Sequence, residues 1–314
     1  MNALSFRHRA LRFGVGLATS LAVLALTPAA RAEEEQVEWN PDWPRFRKAE
    51  IAFTAGMSLQ FAAASFVYPQ LENTWKGGVL FDDAARNALR LETRSARDTA
   101  QKVGDMLYYG LVAYPLVVDT AIVTWGIHGA GDVALQMLAM NLETYAFVGA
   151  VARSAEKLGR ERPSAAECEK DPEYSAKCGN DGASNQSLLS GHSAAGFAGA
   201  GLMCAHHTNL PLYGGGAPDI AACAFGLTAA TAVGTLRVMS DDHYATDVIL
   251  GAALGLFGGY GMPMLLHYGF GDDSKPSGSL LPAFRAGRGG AEVSAVLAPT
   301  VTPDGFGVTL AGSF

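Results

Sequence analysis

The sequence predicts an all-α bundle of about six core helices with a short β-hairpin at the C-terminus, and three observations carry this expectation. Six apolar runs recur at about 50–68, 104–126, 132–153, 192–206, 218–238 and 243–268. The 314 residues are 49% hydrophobic and 17% charged, enough apolar material for one ample core. The tail instead alternates, as in Val293-Ser294-Ala295-Val296 and Gly307-Val308-Thr309-Leu310, around a Pro303-Asp304-Gly305 turn. Period-two alternation about such a turn is a hairpin signal.

The elements follow in chain order. Arg7, Arg9 and Arg12 precede an apolar stretch from Phe13 to Leu26, then Ala30-Arg31-Ala32 and three glutamates. These are the charged, apolar and small-residue regions of a secretory signal peptide, predicting residues 1–32 as a removed leader; an uncleaved anchor is the alternative. Residues 33–270 form the predicted helical domain. Within it, 33–49 is polar with aromatic anchors at Trp39, Trp43 and Phe46. The stretch 70–103 reads as amphipathic helix and loop, bearing Asp82, Asp83, Arg86, Arg90, Arg94 and Arg97. Residues 271–314 are a Gly/Ser/Pro-rich linker and the hairpin. The final Phe314 resembles the end of an outer-membrane strand, but two strands cannot close a barrel.

Chemistry concentrates in four short segments. Arg162 precedes Pro163, and a residue before proline is pushed toward extended geometry, so Arg162 should sit where a helix gives way to a loop. Arg162 and Arg237 present guanidinium forks suited to phosphoryl oxygens. Ser190-Gly191-His192-Ser193 opens an Ala/Gly-rich run. Ser190 suits an N-cap, Gly191 permits close backbone approach, and the unpaired N–H groups of a helix start attract anions. An imidazole there can protonate a departing alkoxide. His243 and Asp247 share a helix face at i, i+4. Asp247 is expected to accept the Nδ1 proton of His243, leaving Nε2 to attack phosphorus.

The order Arg-Pro, Ser-Gly-His, Arg-x5-His-x3-Asp resembles the type 2 phosphatidic acid phosphatase (PAP2) superfamily, which also holds class A acid phosphatases and vanadium haloperoxidases. The likeness spans about residues 100–270. It implies that Arg162, Arg237, Ser190 and Gly191 bind phosphate, that His192 is the general acid, that His243 is a nucleophile forming a phosphohistidine, and that Asp247 orients it. Three positions depart from the pattern: Leu189 replaces a proline, Leu236 a serine, and Ala155 the lysine of the first motif. Lys157 lies about 200° around a regular helix from Ala155. It can substitute only if the helix unwinds before Gly159 or a residue is skipped; Arg160 is another candidate cation.

Four cysteines fit an oxidising compartment, and Cys168 with Cys178 is the expected disulfide. Cys204 and Cys223 are either a second pair or buried thiols. Several apolar runs have spanning length, but Asp105, Asp119, Asn141 and Glu143 interrupt two of them. The expected location is the periplasmic face of the inner membrane, or the soluble periplasm. A net charge of −7 without a basic stripe argues against nucleic acid as a partner. The resemblance implies a metal-independent phosphatase without cofactors, acting on a phosphomonoester such as a lipid phosphate or polyprenyl pyrophosphate. The alternatives are a vanadate-dependent haloperoxidase and a catalytically weakened envelope protein of the same fold.

Overall fold

The computed structural model describes residues 37–269 except 72–74, 176–177 and 180–183, and the backbone of three strands beyond them. The predicted leader lies outside the described residues. Among the described residues eight helices follow one another: α1 (Lys48–Phe66), α2 (Asp82–Leu89), α3 (Arg94–Ala113), α4 (Gly131–Glu156), the single turn α5 (Ala165–Cys168), α6 (Gly191–Asn209), α7 (Ala217–Met239) and α8 (Ala245–Leu256). Two of them extend as π-helix, α3 through Tyr114–Ile127 and α8 through Phe257–Gly261 and Met264–Tyr268. Every predicted apolar run falls on one of these rods. The third rod starts at Arg94, about ten residues before its apolar run, because Thr93 caps it by accepting from the Ala96 amide and its first turns are amphipathic.

The central element is α6, whose residues 198–207 are all buried. Its Ala/Gly composition explains why it sits in the middle: neighbouring backbones approach so closely that larger side chains have no room. A Cβ at Gly199 would lie 2.3 Å from the Leu111 carbonyl oxygen, and one at Gly259 only 2.1 Å from that of Ala198. A buried Leu or Met contributes about 1.5–3 kcal/mol, and Leu202, Met203, Met137 and Met140 supply such burial around it.

Contacts fix the helix directions. Asp132 at the start of α4 pairs with Arg45 just before α1, and the Gly191 end of α6 meets Glu156 at the end of α4. Gly104 of α3 lies against Arg237 near the end of α7, and Gly251 of α8 against Ser190 and Ser193. One end of the bundle therefore gathers the ends of α1, α4 and α7 and the starts of α3, α6 and α8. That end carries all the sequence motifs.

At the other end, Val37, Trp39 and Trp43 pack on Tyr268, Leu210 and Leu212. His206 bonds Tyr268 and Asn141, His207 bonds Asp219 and Asp119, and His267 bonds Glu143. The buried acids of the apolar runs are thus hydrogen-bonded inside the bundle rather than presented to a surrounding medium. Cys204 is joined to Cys223 and Cys168 to Cys178.

Three rods, Arg94–Ile127, Ala217–Met239 and Ala245–Tyr268, are long and apolar enough to cross a membrane. Large apolar side chains face outward from several helices, among them Leu59, Met106, Trp125, Leu135, Phe225 and Phe257. Such a belt is what an apolar surrounding would cover. In the tail, β2 (Val293–Thr302) and β3 (Gly305–Ser313) pair antiparallel, from Ser294 opposite Ser313 to Thr302 opposite Gly305. A third strand, β1 (Ala283–Ala286), pairs with β2 inside the stretch read from sequence as linker.

Candidate active site

A continuous polar chain joins the motif residues at the bundle end. His192 Nε2 lies 3.2 Å from Asp105 Oδ1, and Arg237 Nη2 donates to that same oxygen at 2.6 Å. Arg237 Nη1 reaches Asp242 Oδ2 at 3.4 Å, and the Asp242 carbonyl accepts from Arg162 Nη1 at 2.9 Å. Arg162 Nη1 in turn lies 3.4 Å from His243 Nε2. Arg162 and His243, 81 positions apart in the chain, are thereby in contact.

Local structure explains the placement. The α4 rod ends at Glu156, and Gly159 takes a positive φ of 74° that turns the chain back across the bundle end. Arg162 then sits outside any helix, just before Pro163, its amide bonded to the Ser184 carbonyl. Ser190 caps α6, its hydroxyl accepting from the Ser193 amide and hydroxyl. Leu189, where the family motif has proline, adopts φ of 59°, a left-handed backbone closed to a proline ring. At Gly191 a Cβ would lie 2.9 Å from Glu156 Oε1, so a side chain there would push the glutamate tip aside.

The nucleophile candidate is held differently from the expectation. His243 Nδ1 bonds the backbone carbonyl of Ser187 at 2.9 Å. That partner accepts only, so Nδ1 carries the proton and Nε2 presents its lone pair toward Arg162. Asp247 acts one step away: Oδ2 accepts from the Ser187 hydroxyl at 2.7 Å and from the Tyr244 amide at 3.1 Å. The direct Asp247–His243 bond read from the i, i+4 spacing is replaced by a relay through Ser187, because Asp247 Oδ1 is drawn to Arg160 at 2.5 Å.

Arg160 is not a free cation for substrate. It is fully buried, donates to Asp247, Thr246 and Asp82, and stacks between Trp75 and Tyr244. Burial acts to raise the Asp82 carboxyl, but hydrogen bonds from the Val79 and Thr246 amides, Arg160 and the Thr246 hydroxyl hold it below its ordinary value. Burial pushes the Tyr244 phenol up to about 12, leaving it a neutral ring beneath the guanidinium.

Nor does the helix unwind to bring Lys157 round. Lys157 is in right-handed helical conformation, with its amide on the Ser154 carbonyl and that of Leu158 on Ala155. The last turn tightens to three-residue bonds before Gly159.

Sequence reasoning missed three contributors. Asp105 read as a polar interruption of an apolar run, yet it links Arg237 to His192. Arg86 of α2 forks onto Asp241 with two bonds of 2.7 Å, and Tyr174 adds a third at 2.9 Å. Asp241 has φ of 62°, so these bonds brace the turn that delivers Asp242 and His243. Tyr174 lies inside the loop closed by the Cys168–Cys178 disulfide, which ties that loop to the site.

Residues 133–269 match the family model of the PAP2 superfamily. This segment of the bundle is a PAP2 superfamily domain. The match begins in α4 and covers all the motif residues, whereas α1, α2 and α3 with Asp105 precede it. No curated protein and no solved structure matches the chain.

Proposed function

We propose that this PAP2 protein is a phosphomonoester phosphatase acting through a phosphohistidine on His243. The single observation carrying this reading is the pairing of Arg162 with His243 Nε2 while Nδ1 is held by a carbonyl. A bound phosphoryl group drawn to Arg162 is thereby brought up against a nitrogen lone pair. In the reaction, Nε2 attacks phosphorus in line, Arg162 and Arg237 stabilise the equatorial oxygens, and the Ser190 cap and Gly191 amide add helix-start donors. The bond to the leaving oxygen breaks with its electron pair on oxygen, and His192 supplies the proton. Water then attacks the phosphohistidine, releasing phosphate.

The outward apolar belt and the three spanning-length rods favour a substrate that resides in a bilayer, a lipid phosphate or polyprenyl pyrophosphate. Two disulfides favour an exported protein with its site on the periplasmic face. Purified protein assayed on a chromogenic phosphomonoester beside phosphatidic acid is expected to release phosphate from both, faster from the lipid. Absence of release from either would refute the reading.

A slowed enzyme is the second reading, and a specific observation favours it. The lysine position of the first motif is Ala155, α4 stays helical past it, and both arginines already face Asp105 or Asp242. The same shortage of cations weighs against vanadate capture and haloperoxidase chemistry. Ala155→Lys is expected to raise turnover about tenfold or more by restoring a cation, and Lys157→Ala to stay within about twofold of the parent, since one misphased surface charge does little. A large loss in Lys157→Ala, with no gain in Ala155→Lys, would show that Lys157 reaches the phosphate after all.

A further inference from the structure

Asp105 stands outside every motif of the site, yet one of its oxygens serves two of the site's charged groups. Oδ1 takes Arg237 Nη2 at 2.6 Å and His192 Nε2 at 3.2 Å. Arg237 is 1% exposed, and its Nη2 is also bonded to the Gln101 carbonyl one turn earlier on α3. Gly104 makes this approach feasible, because a Cβ there would lie 2.8 Å from Nη2. The guanidinium is thus threaded against α3 and cannot follow His192 if the histidine moves. His192 is less confined: its side chain is 36% exposed, and one face rests on Tyr108 at 4.6 Å between ring centroids.

We propose that Asp105 is a positioning residue that keeps His192 protonated and aimed in the free enzyme and surrenders it to the leaving group when substrate arrives. The inference rests on the phosphatase reading of the site. A carboxylate beside an imidazole favours the imidazolium, and the general acid of a phosphoryl transfer must hold its proton before the leaving oxygen appears. On binding, the phosphate dianion competes with Asp105 for Arg237 and repels the carboxylate. His192 Nε2–H then turns from Asp105 Oδ1 to the leaving oxygen. As the P–O bond breaks, its electron pair stays on that oxygen, which takes the proton, and neutral imidazole remains for the hydrolytic half-reaction.

Other groups stand around the same imidazole. Tyr108 lies under it from α3, Glu156 of α4 approaches the adjacent Gly191 and pairs with Arg153, and Arg237 of α7 is linked to it through Asp105. Arg162, Asp242 and His243 complete the charged surroundings on the far side of Arg237.

The test titrates His192 directly, so it does not depend on turnover. The full chain is labelled at histidine nitrogen, its His192 resonance assigned by loss in His192→Gln, and its midpoint followed with pH in the parent and in Asp105→Asn. The expected result is a midpoint lower by about one pH unit or more in Asp105→Asn. The sign follows from the charge: removing a carboxylate disfavours the imidazolium. The basic limb of kcat/KM, which reports the free enzyme, should move down with it. The loss should be greater for an alkyl phosphate than for a nitrophenyl phosphate, whose leaving group needs no proton. Asp105→Ser carries the same expectations if the asparagine variant does not fold. An unchanged His192 midpoint would overturn the proposal, as would equal losses on both substrates, which describe a merely structural Asp105. Parent protein inactive on every phosphomonoester would refute the phosphatase reading instead, while the titration would still report on Asp105.

Discussion

His243→Ala is expected to abolish phosphomonoester turnover, with a loss of about 10⁴-fold or more and little change in fold. The size follows from the role: without Nε2 there is no covalent intermediate, and water in its place is a weaker nucleophile without the fixed alignment. The side chain is nearly buried and its ring is tied to one backbone carbonyl, so truncation removes a group whose packing matters little beside its chemistry. Rates on a chromogenic substrate and on phosphatidic acid check this, with thermal unfolding confirming the fold. Undiminished activity would remove His243 as nucleophile. Asp247→Asn should give a smaller but large loss, because it weakens the Ser187 contact that sets the imidazole without touching Nε2.

Arg160→Met is expected to be the most destabilising substitution near the site, by about 3–5 kcal/mol, because it strands buried carboxylates. Asp82 and Asp247 are both fully buried and both pair with this one guanidinium. Removing it leaves two uncompensated charges beside each other, a far larger penalty than losing a surface bridge. Denaturant or thermal unfolding of the purified protein measures it; a loss below about 1 kcal/mol would contradict the assignment. The pH dependence supplies a sign. Because the folded protein holds Asp82 below its ordinary value, its contribution is fully present above about pH 4 and is lost as pH falls through the lower folded-state value. In Arg160→Met that acid-side dependence should flatten.

These two arginine and histidine sites show what the sequence could and could not reveal. Helix placement was legible because apolar runs must be buried somewhere, and all six landed on rods. The motif residues were legible because their types and order carry their chemistry, and they meet at one bundle end. Arg160 stood open as one possible substitute cation because a sequence does not say which arginine meets buried acids; Trp75 and Tyr244, 85 and 84 positions from it in the chain, enclose it only in the fold. The Ser187 carbonyl was invisible for a different reason: every residue has a carbonyl, so backbone partners leave no trace in residue identity. Asp105 was hidden by its surroundings, since an acid within an apolar helix reads as an interruption until its partner on α7 is in place.

The most direct test of phosphoryl transfer at this bundle end is to trap the covalent species. Enzyme mixed with substrate, quenched rapidly in alkali and digested, would be searched by mass spectrometry for a phosphorylated peptide. The account predicts one phosphoryl group on the peptide containing His243, absent in His243→Ala and accumulating when hydrolysis is slowed in His192→Gln with a nitrophenyl phosphate. Turnover with no phosphopeptide at His243 under those conditions, or with the phosphoryl group on another residue, would contradict it.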